Sequence, residues 1–293
     1  MRKALTLTIV ANMTSNYSEG LGNISSVQKI FRNQKIYAIR SKESLKNAIC
    51  QQAGMYDDLK TQLDGAMQKF VSDEVNASNC RALEGGYMNT SGITYVRNSS
   101  FYLTDAVACD SFVNETRFHN NLYLATSYAK DKGLNVQNNS KDVGLMPYQY
   151  EFDKSLKKYS ITIDLDQVGK DANFDMEATN EEKAFRVKAI LTAVENLALV
   201  VKGNLDNAEP LFAVGGISDR KTHYFENVVN VKGKQLVLSE DLKERINNNY
   251  HVALVESGVF DNELEIISEL NVISMSELFN KLRSEVDEYY GCN

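Results

Sequence analysis

The first fifty residues constrain the fold most. From Ala4 to Ala11 threonines alternate with apolar residues, which predicts a strand with Leu5, Leu7 and Ile9 on one face and Thr6, Thr8 and Val10 on the other. Asn12 to Asn23 is too polar to continue as a buried strand. Its Gly20 and Gly22 permit positive φ or the close approach of a ligand to the backbone. Val27 to Ile39 reads as a hairpin turning at Asn33-Gln34. Ser41 then stands where an N-cap belongs, before a helix with Leu45, Ala48, Ile49 and Gln52 on one face. The opposite face offers Lys42, Lys46 and the region of Ser44 to solvent or to a ligand.

Charge makes this segment unusual. Between Met1 and Asn47 lie eight basic residues and two acidic ones, whereas the whole chain of 293 residues has a net charge of −7. A local basic field in an acidic protein points to a polyanion-facing surface or to a solvated face. From Ser239 onward twelve acids face four bases, an acidic surface whose plainest role is solubility. The four cysteines are far apart with no CxxC pair, and the three histidines are scattered, which argues against a zinc site or a disulfide framework. No cofactor and no metal is expected. Met1-Arg-Lys before the alternating strand is too short a pattern for a secretory signal, and no apolar run approaches a membrane span, so a soluble cytoplasmic protein is expected.

The remainder alternates in type. Residues 53–150 contain short apolar segments and read as a long insertion. Within it, Leu59, Leu63, Ala66 and Phe70 have helical spacing over Asp57 to Val71, and Ile93 to Cys109 is strand-like with a turn at Asn98-Ser99-Ser100. Regularity returns with a strand at Lys158–Leu165. The capping box Thr179-Asn-Glu-Glu182 predicts a helix whose apolar stripe runs from Val187 through Leu197 and Ala198 to Val201, ended by Lys202-Gly203. A polar loop to Glu209 leads through Pro210 into a strand at 211–214, closed by Gly215-Gly216. The tail predicts a hairpin at Lys232-Gly233, a helix capped by Ser239, a strand at Val252–Val255 and a helix from the capping box Ser274-Met-Ser-Glu277. Taken coarsely, strand, helix, strand, strand, helix, strand run through 4–11, 42–52, 93–108, 158–165, 183–201 and 211–214. That is the ferredoxin-like order of the RRM, so the fold class is α+β: an RRM-like palm from 1–52 and 151–293, interrupted by 53–150.

Three stretches resemble the DevR family of CRISPR-associated proteins, the repeated backbone subunits of type I-B Cascade within the RAMP superfamily. They are Leu5-Thr-Leu-Thr-Ile-Val-Ala with Ser15-Asn-Tyr-Ser-Glu-Gly-Leu-Gly-Asn23; Tyr37-Ala-Ile-Arg-Ser41-Lys-Glu-Ser44-Leu45-Lys-Asn-Ala-Ile49; and Tyr159-Ser-Ile-Thr-Ile-Asp-Leu-Asp-Gln-Val-Gly169, with the helix at 183–201 and Pro210-Leu-Phe-Ala-Val-Gly-Gly216. The resemblance implies a hand-like subunit that stacks with copies of itself along a CRISPR RNA and grips its sugar-phosphate backbone. It also implies target DNA as a partner through the guide, other Cascade subunits, and no membrane. The insertion at 53–150 would be the fingers. A thumb at about 202–210 would displace a nucleotide at regular intervals; here it holds Lys202, Asp206 and Glu209.

The residues themselves offer phosphate-positioning chemistry rather than catalysis. No GxGxxG, Walker A loop or HExxH is present. The RNA-binding candidates are Asn16, Tyr17, Asn23, Arg40, Ser41, Lys42, Ser44, Lys46 and Lys202, with Gly215 and Gly216 either cradling phosphate or relieving a strand end. For Ser41 the cap is a sufficient role. Tyr17 either stacks on a base or packs on its own strand. The alternative is a RAMP-type endoribonuclease, because relatives in the superfamily cleave RNA with a loop aspartate, and Asp57-Asp58 follow the first helix.

Overall fold

The computed structural model describes residues 3–17, 24–90, 92–247 and 250–292. In chain order, β1 (Ala4–Thr14), β2 (Ile24–Ser25), β3 (Lys29–Arg32) and β4 (Lys35–Arg40) precede α1 (Lys42–Gln52). The hairpins β5 (Thr61–Asp64) with β6 (Ala66–Lys69) and β7 (Tyr87–Asn89) with β8 (Tyr95–Arg97) follow. Next are β9 (Phe101–Leu103), β10 (Ala106–Ala108), β11 (Thr116–His119), α2 (Leu122–Lys132), β12 (Tyr148–Glu151) and β13 (Lys154–Asp164). The short β14 (Lys170–Asp171) and β15 (Met176–Glu177) lead to α3 (Asn180–Glu195), the hairpin β16 (Ala198–Val201) with β17 (Asn204–Asn207), and β18 (Pro210–Ser218). The C-terminal part holds β19 (Val231–Lys232), β20 (Gln235–Leu236), α4 (Glu240–Ile246), β21 (His251–Leu254), α5 (Glu263–Leu270) and α6 (Met275–Tyr290).

The chain is α+β, built on one large sheet in the order β21-β18-β1-β13-β10-β4-β3, with β9 also on β13. β1 is central and antiparallel to both neighbours: Leu7 lies opposite Ile161 on one side and Gly215 on the other. Its alternation decides what each face packs against. Leu5, Leu7 and Ile9 join Leu45 and Ile49 of α1, Val187 and Leu191 of α3, and Phe279 and Leu282 of α6 in the larger core. Val10 points the other way, with Phe212, Val214 and Val252, into a second core closed by Phe225, Val229, Leu242 and Ile266. The threonines on that face are buried but satisfied, Thr8 Oγ1 lying 2.7 Å from Ser160 Oγ. The acidic C-terminal segment therefore contributes to both cores, Leu242 and Ile266 to this one and Phe279 and Leu282 to the larger, as well as carrying charge.

Within 53–150 the chain leaves the sheet, returns to it at β9 and β10, and leaves again. The first excursion is pinned by Glu84, 1 % exposed at its side chain. It accepts from Arg186 Nη1 of α3 at 2.8 Å, Arg97 Nη2 at 3.0 Å and the Gly169 amide at 2.6 Å. The second forms a three-stranded sheet, β11-β12-β2, and between β11 and β12 the chain folds α2 against Val136, Val143 and Leu145.

Four sequence expectations give way. Asp57 to Val71 is no helix: the chain pairs as β5–β6, turning at Gly65 with φ +66°, and leaves Leu63 and Met67 exposed opposite one another. The helix expected over 183–201 stops at Glu195. Ala198–Val201 pairs with Asn204–Asn207 across Lys202 and Gly203, whose φ values of +50° and +79° make the tight two-residue turn that suits a twisted hairpin. The expected loop is thus a hairpin. Gly215-Gly216 does not close a strand; β18 runs through both to Ser218, and a Cβ on Gly215 would lie 2.0 Å from the Thr6 carbonyl oxygen. Gln52, expected inward, is exposed and instead brackets β16, donating to Ala198 O (2.7 Å) and accepting from Ala198 N (3.0 Å).

Candidate nucleic-acid interface

The end of β1, the start of α1 and the β16–β17 hairpin converge. Ser41 caps α1, its hydroxyl accepting from the Ser44 amide at 3.3 Å. Asn16 Oδ1 accepts from the Ser41 amide at 2.7 Å, so both residues order the helix start. Ser44 is half-buried. Asp206 of β17 is buried and accepts from Thr14 N at 2.7 Å and Thr14 Oγ1 at 2.9 Å, while Lys154 Nζ lies 2.5 Å away. Asp206, an acid in the expected thumb, thus faces inward and fastens the hairpin to the sheet. The hairpin's outer face carries Val200 and Leu205, directly paired across the strands and 74 % and 78 % exposed.

Of the expected basic contacts, two face inward. Arg40 is only 5 % exposed and donates from Nη1 to Thr14 O at 3.1 Å; burial lowers its pKa to about 10, opposed by the nearby Asp206. Lys46 does share a helical side with Lys42, but the first excursion folds over it. Its ammonium donates to Ser99 Oγ (2.9 Å), Gly85 O (3.2 Å) and Phe101 O (3.5 Å) and lies over the Phe101 ring; desolvation brings its pKa down to about 8. Lys42 remains exposed, 3.7 Å from Glu43. It borders a cleft of about 520 Å³ on the open end of the sheet, lined also by Arg32, Tyr37, Asp105, Lys158 and Asn230. Lys158 Nζ is engaged there with the carbonyls of Glu226 (2.7 Å) and Val229 (2.8 Å). Arg32 went unnoticed as a candidate, though its place beside the Asn33-Gln34 turn marks it as a hairpin tip. Gly215 and Gly216 are buried inside β18, away from this cleft. Asn23 lies outside the described residues.

Lys202 and Tyr17 are brought together. The Lys202 ammonium sits 4.9 Å from the Tyr17 ring centroid and donates to Ser25 Oγ at 3.3 Å. Tyr17 packs edge-on to Tyr150, and burial pushes its hydroxyl up to about 12.

The arrangement leaves a surface of modest positive charge. Three of the eight N-terminal basic residues are engaged internally, with Lys29 on Glu151 at 2.5 Å, Arg40 buried and Lys46 covered, while Arg32, Lys35 and Lys42 are exposed, as is Lys202 of the hairpin. Among the described residues no group of three or more His, Cys, Asp or Glu side chains could hold a metal ion, and no helix is long and apolar enough to cross a membrane. Asp58 is occupied structurally, accepting from the Arg81 amide at 2.8 Å and the Ala82 amide at 3.3 Å.

The sequence matches the model of the CRISPR-associated negative auto-regulator DevR/Csa2 family over residues 5–234. The chain belongs to this CRISPR-associated family. Among curated proteins none matches it. Two solved chains share the DevR/Csa2 member's fold. One, from a pre-nicking CRISPR RNA-guided surveillance complex, is 10 % identical with a TM-score of 0.63, over 98 % of this chain and 99 % of that one. Another, also from a CRISPR RNA-guided surveillance complex, is 13 % identical with a TM-score of 0.57, over 97 % and 99 %.

Proposed function

We propose that this chain is a non-catalytic, CRISPR RNA-binding backbone subunit of a type I Cascade effector complex, of the I-B kind within the RAMP superfamily. Copies polymerise along the guide and support recognition of target DNA. The observation that carries the reading is the β16–β17 hairpin: two exposed apolar residues, Val200 and Leu205, sit opposite each other on an arm fastened to the central strand by Asp206. Such an arm is a thumb able to wedge between nucleotides. The strand order β18-β1-β13-β10, with α1 and α3 on one face, supports an RRM-like palm. The excursions within 53–150 are the fingers. The palm grips phosphates through Lys42 and Arg32, and the protein works in the cytoplasm beside other Cascade subunits.

Co-expression with a CRISPR array and partner subunits should yield particles larger than a monomer that carry RNA of narrow length range. In these, Val200→Ser with Leu205→Ser should preserve the fold but abolish the periodic pattern of exposed nucleotides in chemical probing. An RNA-free monomer recovered under those conditions overturns the reading. Asp57→Asn with Asp58→Asn should leave guide binding intact; cleavage of bound RNA that this change abolishes would transfer the assignment to the endoribonuclease alternative.

A further inference from the structure

The small β11-β12-β2 sheet has one face lined with aromatic rings for which the palm-and-thumb reading has no use. His119 stands directly opposite Tyr148, and Tyr150 is two residues farther along the same strand, so all three rings share that face. They are nearly parallel: His119 to Tyr150 is 5.0 Å between centroids at 9°, His119 to Tyr148 5.5 Å at 17°, and Tyr148 to Tyr150 6.4 Å at 18°. His119 and Tyr148 are exposed, while Tyr150 is buried behind them. Tyr17 continues the series edge-on to Tyr150, and Lys202, reaching from the thumb turn, sits over Tyr17. Among the described residues no carboxylate pairs with Lys202.

We infer that this face is a second nucleic-acid site, where an unpaired base of a single strand stacks on His119 and Tyr148 while Lys202 takes the adjoining phosphate. The inference rests on the proposed RNA-binding role and adds a base contact to it. A stack of near-parallel rings that a further ring can extend, with a cation nearby, matches a nucleotide, which is a flat ring carrying an anion. It matches an apolar protein helix less well, because the exposed rings present an imidazole and a phenol rather than aliphatic carbon. Stacking reads no sequence, since every base offers a π-face. The site is therefore indifferent to the guide's sequence yet dependent on the presence of bases.

The experiment titrates the full chain with an eight-nucleotide oligouridylate and with an abasic strand of the same length. His119→Ala and Tyr148→Ala should each weaken oligouridylate binding by about tenfold. Tyr148→Phe should stay close to wild type, and none of the three should alter the salt slope, because no phosphate contact is lost. Lys202→Ala should lower that slope by about 0.7. The chain has no tryptophan, so Tyr148→Trp places a single indole at the face, and its emission should be quenched by oligouridylate but not by the abasic strand. Equal wild-type affinity for the two strands, or Tyr148→Ala binding as wild type does, overturns the inference while leaving RNA binding itself in place. Loss of self-association by Tyr148→Ala with unchanged oligouridylate affinity likewise overturns it and assigns the face to a second copy of the chain. Failure of the wild type to bind either strand removes the proposed function as well.

Discussion

The carboxylate of Asp206 reaches back across the chain to hold both the amide and the hydroxyl of Thr14, at 2.7 and 2.9 Å. It fixes the base of the β16–β17 arm to the last residue of the central strand, with Lys154 closing the other side. Replacing Asp206 by Ala leaves the buried Thr14 amide and hydroxyl without their acceptor, while Lys154, which is exposed, can turn to solvent. Urea unfolding should show a loss of about 1–3 kcal/mol, partly recovered by Asn, which keeps one acceptor.

Lys42 and Lys46 separate two roles that share one helical side. Lys42→Ala should flatten log K against log salt for guide binding by about 0.7 and leave stability within about 0.5 kcal/mol. Lys46→Ala should leave the slope unchanged. It should cost about 1–3 kcal/mol in urea unfolding, because Gly85 O, Ser99 Oγ and Phe101 O lose their donor. A slope change for Lys46→Ala in a folded protein would place that ammonium on the RNA.

Lys46 also makes stability depend on pH. Desolvation sets its folded pKa at about 8, below the ordinary 10.5, so the native state sheds this proton before the unfolded chain does. Below pH 8 both states are charged and the cost of burying the charge is present in full. From pH 8 to 10.5 the unfolded chain holds more protons, and stability from this group rises with pH. Between pH 7 and 10, wild type should gain about 1–3 kcal/mol relative to Lys46→Met, the figure reduced by partial exposure. Denaturant titrations of both proteins at several pH values read the difference, and parallel curves would refute it.

Glu84 neutralises two buried arginines, Arg97 and Arg186, which approach from the insertion and from α3. Glu84→Ala leaves Arg97 without a carboxylate and Arg186 with Glu182 alone, and should lower unfolding free energy by about 3 kcal/mol. Glu84→Gln keeps one acceptor oxygen, which can still serve the Gly169 amide, and should cost less. Thermal melts followed by circular dichroism rank the two.

The central sheet was readable because its signals are local. Alternation placed Leu5, Leu7 and Ile9 on one face, and both Ser41 and Ser274 cap the helices they precede. Errors arose where a chance period outweighed a turn dipeptide. Leu59, Leu63, Ala66 and Phe70 mimic a helix, but Asp64-Gly65 is a hairpin signal, and Lys202-Gly203 is one after the β-branched pair Val200-Val201. α2 was missed because Leu122, Tyr123, Leu124 and Tyr128 remain exposed around small buried alanines, which blurs its stripe. At the candidate site, helical spacing correctly paired Lys42 with Lys46. It could not reveal that Gly85 and Ser99, far along the chain, fold back over one and not the other. The three-ring face needed the β11–β12 register, which joins residues twenty-nine apart.

The second core changes what the acidic C-terminal third means for the molecule. Val10, Phe212, Val214 and Val252 lie on the side of the sheet that the residues after β18 cover, through Phe225 and Val229 ahead of the acidic stretch and Leu242 and Ile266 within it. A chain ending after β18 would present an open apolar sheet with an unpaired β18 edge, a template for irregular aggregation. The acidic third is thus the molecule's roof. The open end of the palm, where Lys42 and Arg32 meet solvent, is the doorway that the roof leaves uncovered.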